Sequence, residues 1–326
     1  MLVLSAAEVA ALLDLDRLVD AIAVAMDDFS HGRTSMPARV AAIVDERDAM
    51  LAVMPAYLPS ANVLTTKLVS LFPHNTAVPT HQAVICCFDP ESGAPLALMD
   101  GEYITAARTA AGSALATRLL ARHDAAVVSI IGTGVQARSH AYALSRLPGV
   151  QVIQVTGRDP SRAAALADEL HGVGIAASAA ASIEDAVRTA DIVCAATHSD
   201  EPVIRRSWLR PGAHVNSVGY NTAGDGEVDL ATICAARLVV ESRAAALAPP
   251  PSGPVELHNA LNSGAITPDH IWAEIGELVA GDRPGREDET QLTLYKSGGV
   301  AVQDAAAAAL VLANAQARGV GTQINL

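Results

Sequence analysis

The chain has 326 residues, more than a single hydrophobic core usually organises, so two domains are expected. Half of the residues are apolar but only 3% are aromatic, so packing must rest on close contact between small aliphatic side chains. A net charge of −13 with no cluster of Lys or Arg excludes a nucleic-acid surface, and no apolar run is long enough to span a bilayer.

In chain order, Ser5-Ala-Ala-Glu8 has the form of a capping box and predicts a helix over 5–13. Leu18, Val19, Ile22, Ala25, Met26 and Phe29 recur at helical spacing and predict a second over 16–30. Residues 38–44, 48–55 and 62–71 read as strands. Residues 80–88 and 95–100 read as a further pair, turned by Asp89-Pro90-Glu91-Ser92-Gly93. This hairpin-rich first third ends in a long Ala/Leu helix, 105–121. Strand and helix then alternate: strands at 127–131, 150–156, 174–177, 192–196, 214–218, 238–240 and 292–295, with helices starting near 138, 161 and 182. Such alternation marks a doubly wound parallel sheet. Pro/Gly-rich loops interrupt it at 248–254 and 281–286, and a helix over 302–317 closes the chain. The expected fold class is therefore α/β: a parallel-sheet (Rossmann) domain over 119–299, and an α+β domain built from 1–118 and 300–326.

Val127–Ile131 runs into Gly132-Thr133-Gly134-Val135-Gln136-Ala137 and then into a helix. Gly132 allows the sharp turn, Gly134 lets a pyrophosphate approach without meeting a Cβ, and Ala137 lets helix and strand pack closely. The helix N-terminus then offers N–H groups and a positive dipole end to the phosphates. The next strand ends Thr156-Gly157-Arg158-Asp159, with Ser161 and Arg162 behind it. Arg158 suits a ribose 2′-phosphate, so NADP(H) is favoured over NAD(H). In the alternative, Asp159 serves NAD and Arg158 is a solvated loop charge.

Several segments together resemble the ornithine cyclodeaminase/mu-crystallin family: Met36-Pro37-Ala38-Arg39, Met54-Pro55, Thr66-Lys67-Leu68-Val69, Phe72-Pro73-His74-Asn75, Arg108-Thr109-Ala110-Ala111, the glycine turn, His214-Val-Asn-Ser-Val-Gly219 and Tyr295-Lys296-Ser297-Gly298-Gly299-Val300-Ala301. The resemblance implies a homodimer whose first domain carries the substrate site and the subunit interface, completed by the C-terminal helix. It implies hydride exchange between a nicotinamide and the α-carbon of an imino or amino acid. It also places the family's carboxylate-binding cations on Arg39, Lys67 and Arg108. Each of these alone reads as a surface charge; together, in an apolar setting, they suit a substrate carboxylate. A lysine desolvated beside two arginines gives up its proton readily, so Lys67 is the expected donor to the imine nitrogen.

The segment 218–229 follows a strand's carboxyl end, where open α/β sheets bind ligands, and brings in Val218 and Gly219. The family's catalytic aspartate aligns with Asn221, which cannot act as a base. This departure points away from full cyclodeamination and toward reduction of a ready-made ring, with Asn221 orienting substrate or nicotinamide; Asp225 reads as a solvated loop carboxylate. The resemblance places Thr80 at a ligand contact; Thr197, after the strand 192–196, is expected beside the dinucleotide and Ser297 beside the nicotinamide, each of the three with a turn or cap role as the alternative. Reduction of small cyclic ketimines is thus the leading expectation. The alternatives are an ornithine cyclodeaminase, an alanine or other amino-acid dehydrogenase, and a non-catalytic mu-crystallin-like protein that binds NADPH and a small ligand. His31, His74, His81, His140 and His198 lack metal-ligand spacing, so no metal is expected. Cys86, Cys87, Cys194 and Cys234 read as reduced core residues, and the N-terminus does not read as a signal peptide; both fit a cytoplasmic setting without membrane partners.

Overall fold

The capping box at Ser5 is formed: the Glu8 amide donates to Ser5 Oγ at 3.4 Å and the Ser5 amide donates to Glu8 Oε2 at 2.8 Å. This computed structural model describes residues 1–221 and 223–325. The box opens α1 (Ala6–Leu12), which follows β1 (Leu2–Leu4), a strand too short to leave a sequence pattern. The carboxylate of Asp14 caps α2 (Leu15–Ser30), which buries Leu18, Val19, Ile22, Ala25 and Met26, the stripe expected from the sequence; Phe29 is half-buried. Then come β2 (Val40–Val44), β3 (Ala49–Leu58), β4 (Val63–Leu71), β5 (His81–Phe88) and β6 (Pro95–Asp100), each of the last four antiparallel to the one before it. Along β3 the pleat sends Ala52, Met54, Ala56 and Leu58 inward and leaves Leu51 exposed on the other face.

Helix α3 (Glu102–Leu120) leads into the alternating region. This comprises β7 (Val127–Ile131), α4 (Val135–Ser145), β8 (Val152–Thr156), α5 (Pro160–Gly172), β9 (Ala177–Ala179), α6 (Ile183–Thr189), β10 (Ile192–Ala195), β11 (His214–Ser217), α7 (Leu230–Ala235), β12 (Arg237–Val240), α8 (Arg243–Ala246), α9 (Val255–Asn262), β13 (Ile271–Glu274), α10 (Ile275–Ala280) and β14 (Thr293–Lys296). The chain ends with α11 (Ala301–Arg318) and β15 (Thr322–Gln323).

Two units emerge, Met1–Arg108 with Val300–Leu326, and Thr109–Gly299. The first boundary falls inside α3, earlier than the expected 118. The reason lies in the side chains: Arg108 bonds to α11 through Gln303 and Asp304, whereas Ser113 meets His140 and Thr117 meets Asn216 in the second unit. In the first unit the sheet runs β15-β1-β6-β5-β4-β3-β2, with β1 parallel to β6. In the second it runs β13-β12-β14-β11-β10-β7-β8-β9, parallel throughout.

Elements α7 to α10 and β13 gave no sequence signal, being short and set among prolines and glycines. The cysteine expectation needs correction at one position: Cys234, at the end of α7, is exposed, while Cys86 is half-buried and Cys87 and Cys194 are buried. Among the described residues no helix is long and apolar enough to cross a membrane.

Candidate active site

In the first unit, Lys67 sits on the buried face of β4, paired across the sheet with Met54 and Ile85. An ammonium on that face has lost its water and needs an anion. Asp304 in the first turn of α11 supplies it: its carboxylate lies 2.8 Å from Lys67 Nζ and 3.0 Å from Arg108 Nε. Arg108 is further held by Gln303 Oε1 at 3.1 Å. All three charged groups are buried, and Arg39, half-buried before β2, lies near enough for its charge to bear on Lys67. The basic residues picked out by sequence therefore do converge.

Their electrostatics follow from burial. Desolvation pushes Lys67 down most, the Asp304 carboxylate pulls back, and Arg108 and Arg39 push further, leaving its pKa at about 8. Burial would raise Asp304, but the Lys67 and Arg108 charges and hydrogen bonds outweigh it and hold the carboxyl below its ordinary value. His81, at the start of β5, feels the same cluster. Burial first, and then the charges of Lys67 and Arg108, hold its imidazole below the usual value. Thr80, just before it, is exposed, and its carbonyl accepts the Phe72 amide at 2.8 Å. Asp304, Gln303 and His81 are the residues that sequence reasoning missed. Asp304 carries no mark in the sequence, because nothing local ties it to a strand more than two hundred positions away.

In the second unit, the parallel strands place their carboxyl ends along one edge. Ile131 stands level with Thr156 and Ala195, Ala195 with Ser217, and Ser217 with Lys296. Each of the second-unit cofactor residues expected from sequence follows one of these ends. Gly132 has φ +126°, and a Cβ there would lie 2.6 Å from the Ala196 carbonyl oxygen, so only glycine fits. Ala137, fully buried, lies 3.5 Å from the same point. Gly134 caps α4 without any side-chain acceptor, and the space a Cβ would take is open. The amides of Val135, Gln136 and Ala137 thus begin a helix with no side-chain cap at its N-terminus among the described residues, which fits a pyrophosphate. The Thr133 methyl lies 3.4 Å from a Cβ built on Gly157. Beyond it Arg158 is exposed, and the Asp159 carboxylate is committed as the cap of α5, accepting the amides of Ser161 and Arg162.

After β10, Thr197 Oγ1 accepts the Ser199 amide. After β11, the Val218 amide donates to Ala195. Asn221 is buried, and its Nδ2 donates to the Ser199 carbonyl at 2.8 Å. The Ser297 hydroxyl donates to Glu241 Oε1, and Glu241 Oε2 also accepts the Gly298 and Gly299 amides. Asp225 is exposed. Among the described residues, one group has ligand atoms close enough for an ion: His123, Asp124 and Glu289. All three are exposed, and Asp124 is already paired with Arg122.

The chain is similar over its length to known proteins. It is 38% identical over 299 residues to the ketimine reductase mu-crystallin of Mus musculus, covering 90% of each. A Δ1-pyrroline-2-carboxylate reductase of Thermococcus litoralis, solved with NADH and L-proline, superposes with TM-score 0.94 at 36% identity, over 99% of this chain and 100% of that one. An archaeal alanine dehydrogenase dimer with bound NAD gives TM-score 0.92 at 31% identity, over 100% and 99%. The model of the ornithine cyclodeaminase/mu-crystallin family matches residues 1–319, and the chain belongs to that family.

Proposed function

We propose that this NAD(P)-dependent oxidoreductase reduces small cyclic ketimines, pyrroline-2-carboxylate or piperideine-2-carboxylate, to L-proline or L-pipecolate. The observation that carries the reading is the buried cluster of the first unit. Lys67 and Arg108 share the one carboxylate of Asp304, and the Arg39 charge also bears on Lys67. Such a cluster favours an added anion, and a substrate carboxylate is one. Arg108 and Arg39 bind that carboxylate, with Thr80 at the rim. Lys67 holds a proton at Nζ and gives it to the ring nitrogen. The reduced nicotinamide supplies the hydride that reaches the α-carbon. One hydride and one proton convert the C=N bond to an amine, so no residue has to activate water or expel ammonia. Asn221, an amide where cyclodeaminases carry an aspartate, suits that smaller task.

Gly132, Thr133, Gly134, Val135, Gln136 and Ala137 would hold the pyrophosphate. Thr197, Val218, Gly219 and Ser297 would line the nicotinamide half. NADP(H) is favoured over NAD(H), because Asp159 is occupied as a helix cap while Arg158 is exposed and forms no ion pair among the described residues. A homodimer accounts for the outward face of the first sheet, where Val40, Leu51, Leu64 and Val84 are exposed together on neighbouring strands. The archaeal alanine dehydrogenase dimer supports this.

The test follows absorbance of the reduced nicotinamide with purified protein, NADPH or NADH, and pyrroline-2-carboxylate. Oxidation matched by proline is expected. Ammonia and proline formed from ornithine with NAD would replace this reading with cyclodeamination. Tight NADPH binding without turnover of any imino acid would replace it with a binding protein.

A further inference from the structure

We propose that Glu227 is a positioning residue for the hydride transfer, latching together the two loops that follow β10 and β11, with Asn221 as a second tether. The proposal rests on the reading that these loops border the dinucleotide.

Glu227 is completely buried, and no lysine or arginine pairs with it among the described residues. Its carboxylate is instead filled by donors from both loops. Oε1 accepts the Thr197 amide at 2.5 Å, two residues past β10. Oε2 accepts the Gly219 amide at 2.6 Å, two residues past β11, and the Ser217 hydroxyl at 3.2 Å. Its own carbonyl accepts the Val203 and Ile204 amides, so the residue is fixed through its backbone as well. Gly219 has to be glycine for the latch to close: a Cβ there would lie 2.2 Å from Glu227 Cδ and 2.4 Å from the Thr197 carbonyl oxygen.

The Gly219 residue is held from its other end too. Its carbonyl accepts Lys296 Nζ at 2.7 Å, and that ammonium also reaches Ser217 Oγ at 3.1 Å and the Glu256 carboxylate at 2.7 Å. Further out, Asn221 Nδ2 donates to the Ser199 carbonyl, and the Asp225 amide donates to the Asp200 carbonyl, both at 2.8 Å. The loops are therefore joined at successive points. A carboxylate that accepts backbone amides on both oxygens preorganises those amides without moving on turnover.

The chemistry of the latch makes it testable. Glu227→Gln keeps the volume but presents an NH2 to one of the two amides, which then has no acceptor. An aspartate at 221 would turn a carboxylate oxygen toward the Ser199 carbonyl, where only a donor fits. The family's aspartate chemistry and this tether thus exclude each other at one position, and Asn221 commits this chain to the tether.

The experiment compares the parent protein with Glu227→Gln, measuring dinucleotide binding by nicotinamide fluorescence and steady-state reduction of pyrroline-2-carboxylate at 25 °C. The expected result is a kcat lowered about tenfold or more, because hydride transfer is sensitive to ångström-scale misplacement. The dinucleotide Kd should rise by a similar factor, while KM for the imino acid changes less than about twofold, since its cations belong to the first unit. A variant that only melts earlier, with parental kcat and Kd, overturns the proposal. If Glu227→Gln does not fold, Asn221→Ala decides: the same split at smaller amplitude supports the latch, and parental kinetics overturn it. Failure of the parent protein to bind any dinucleotide would remove the underlying reading along with the proposal. A parent that binds and turns over beside unaffected variants removes the latch alone.

Discussion

Replacing Asp304 with asparagine isolates the charge that holds the cation cluster together. The carboxylate is 1% exposed, 2.8 Å from Lys67 and 3.0 Å from Arg108. Asparagine keeps the volume and can still accept from Arg108, but it leaves two buried cations uncompensated and turns an NH2 toward one of them. Breaking a buried pair in this way costs about 3–5 kcal/mol. For a unit of this size that lowers the melting midpoint by roughly 10 °C. Two signatures set the electrostatic cause apart from a packing defect. The Asp304 charge raises the Lys67 pKa, so without it Lys67 drops below its value of about 8, and the alkaline fall in kcat/KM for reduction moves to lower pH. L-Proline, whose carboxylate partly replaces the missing charge, should raise the midpoint more in the variant than in the parent. Differential scanning fluorimetry with and without L-proline, and a pH–rate profile, read both effects. A variant with parental stability and an alkaline limb at the parental pH would refute the argument that Asp304 supports the cluster.

Lys67 must be protonated to donate, so kcat/KM for ring reduction should hold below pH about 8 and fall as pH rises through it, with oxidation of proline rising across the same window. A profile flat across pH 7 to 9 would remove Lys67 as the donor. Gly132→Ala places a methyl 2.6 Å from the Ala196 carbonyl oxygen at a φ of +126°, so NADPH fluorescence titration should show dinucleotide binding lost, with about 2–4 kcal/mol of stability; retained affinity would contradict the turn geometry. Arg158→Ala should weaken NADPH much more than NADH, and an unchanged ratio of the two dissociation constants would assign the 2′-phosphate to another group.

How much of this was legible in the sequence depended on how local each signal was. The glycine turn, the capping box and the β3–β4 and β5–β6 strands carry their reasons within a few residues, and all formed where the pattern placed them. The boundary at 118 failed because an alanine-rich helix looks uniform along its length. What divides α3 is that Arg108 looks to α11 while Ser113 and Thr117 look to the parallel sheet. Lys67 and Arg108 were legible because their neighbours match the family's motifs. Asp304, which gives both their geometry, has no such mark, since its partners are distant in sequence. Nothing local marks the protein partners of Thr197 and Ser297: the first hydroxyl accepts the Ser199 amide and the second donates to Glu241. A side chain's partner at a loop is decided by which carboxylate the fold brings in from elsewhere.

The same device recurs along the parallel sheet. Asp191, at the amino-terminal side of β10, accepts the Ala126 and Val127 amides at 3.0 and 3.1 Å and pairs with Arg122 and Arg210. Glu227 takes the amides after β10 and β11, and Glu241 those after β14. Each is a buried carboxylate that binds backbone amides at or just beyond the end of a strand. In the first unit the relation is reversed, and one carboxylate, Asp304, is shared by two cations, Lys67 and Arg108. The second unit thus uses three buried carboxylates as ties for backbone amides, while in the first one buried carboxylate is shared by Lys67 and Arg108. The two arrangements make opposite forecasts for salt. Chloride at high concentration should compete with the imino acid at the cation cluster and raise its KM. The amide-bound carboxylates, buried and already satisfied, should leave dinucleotide affinity much less affected than a surface charge would.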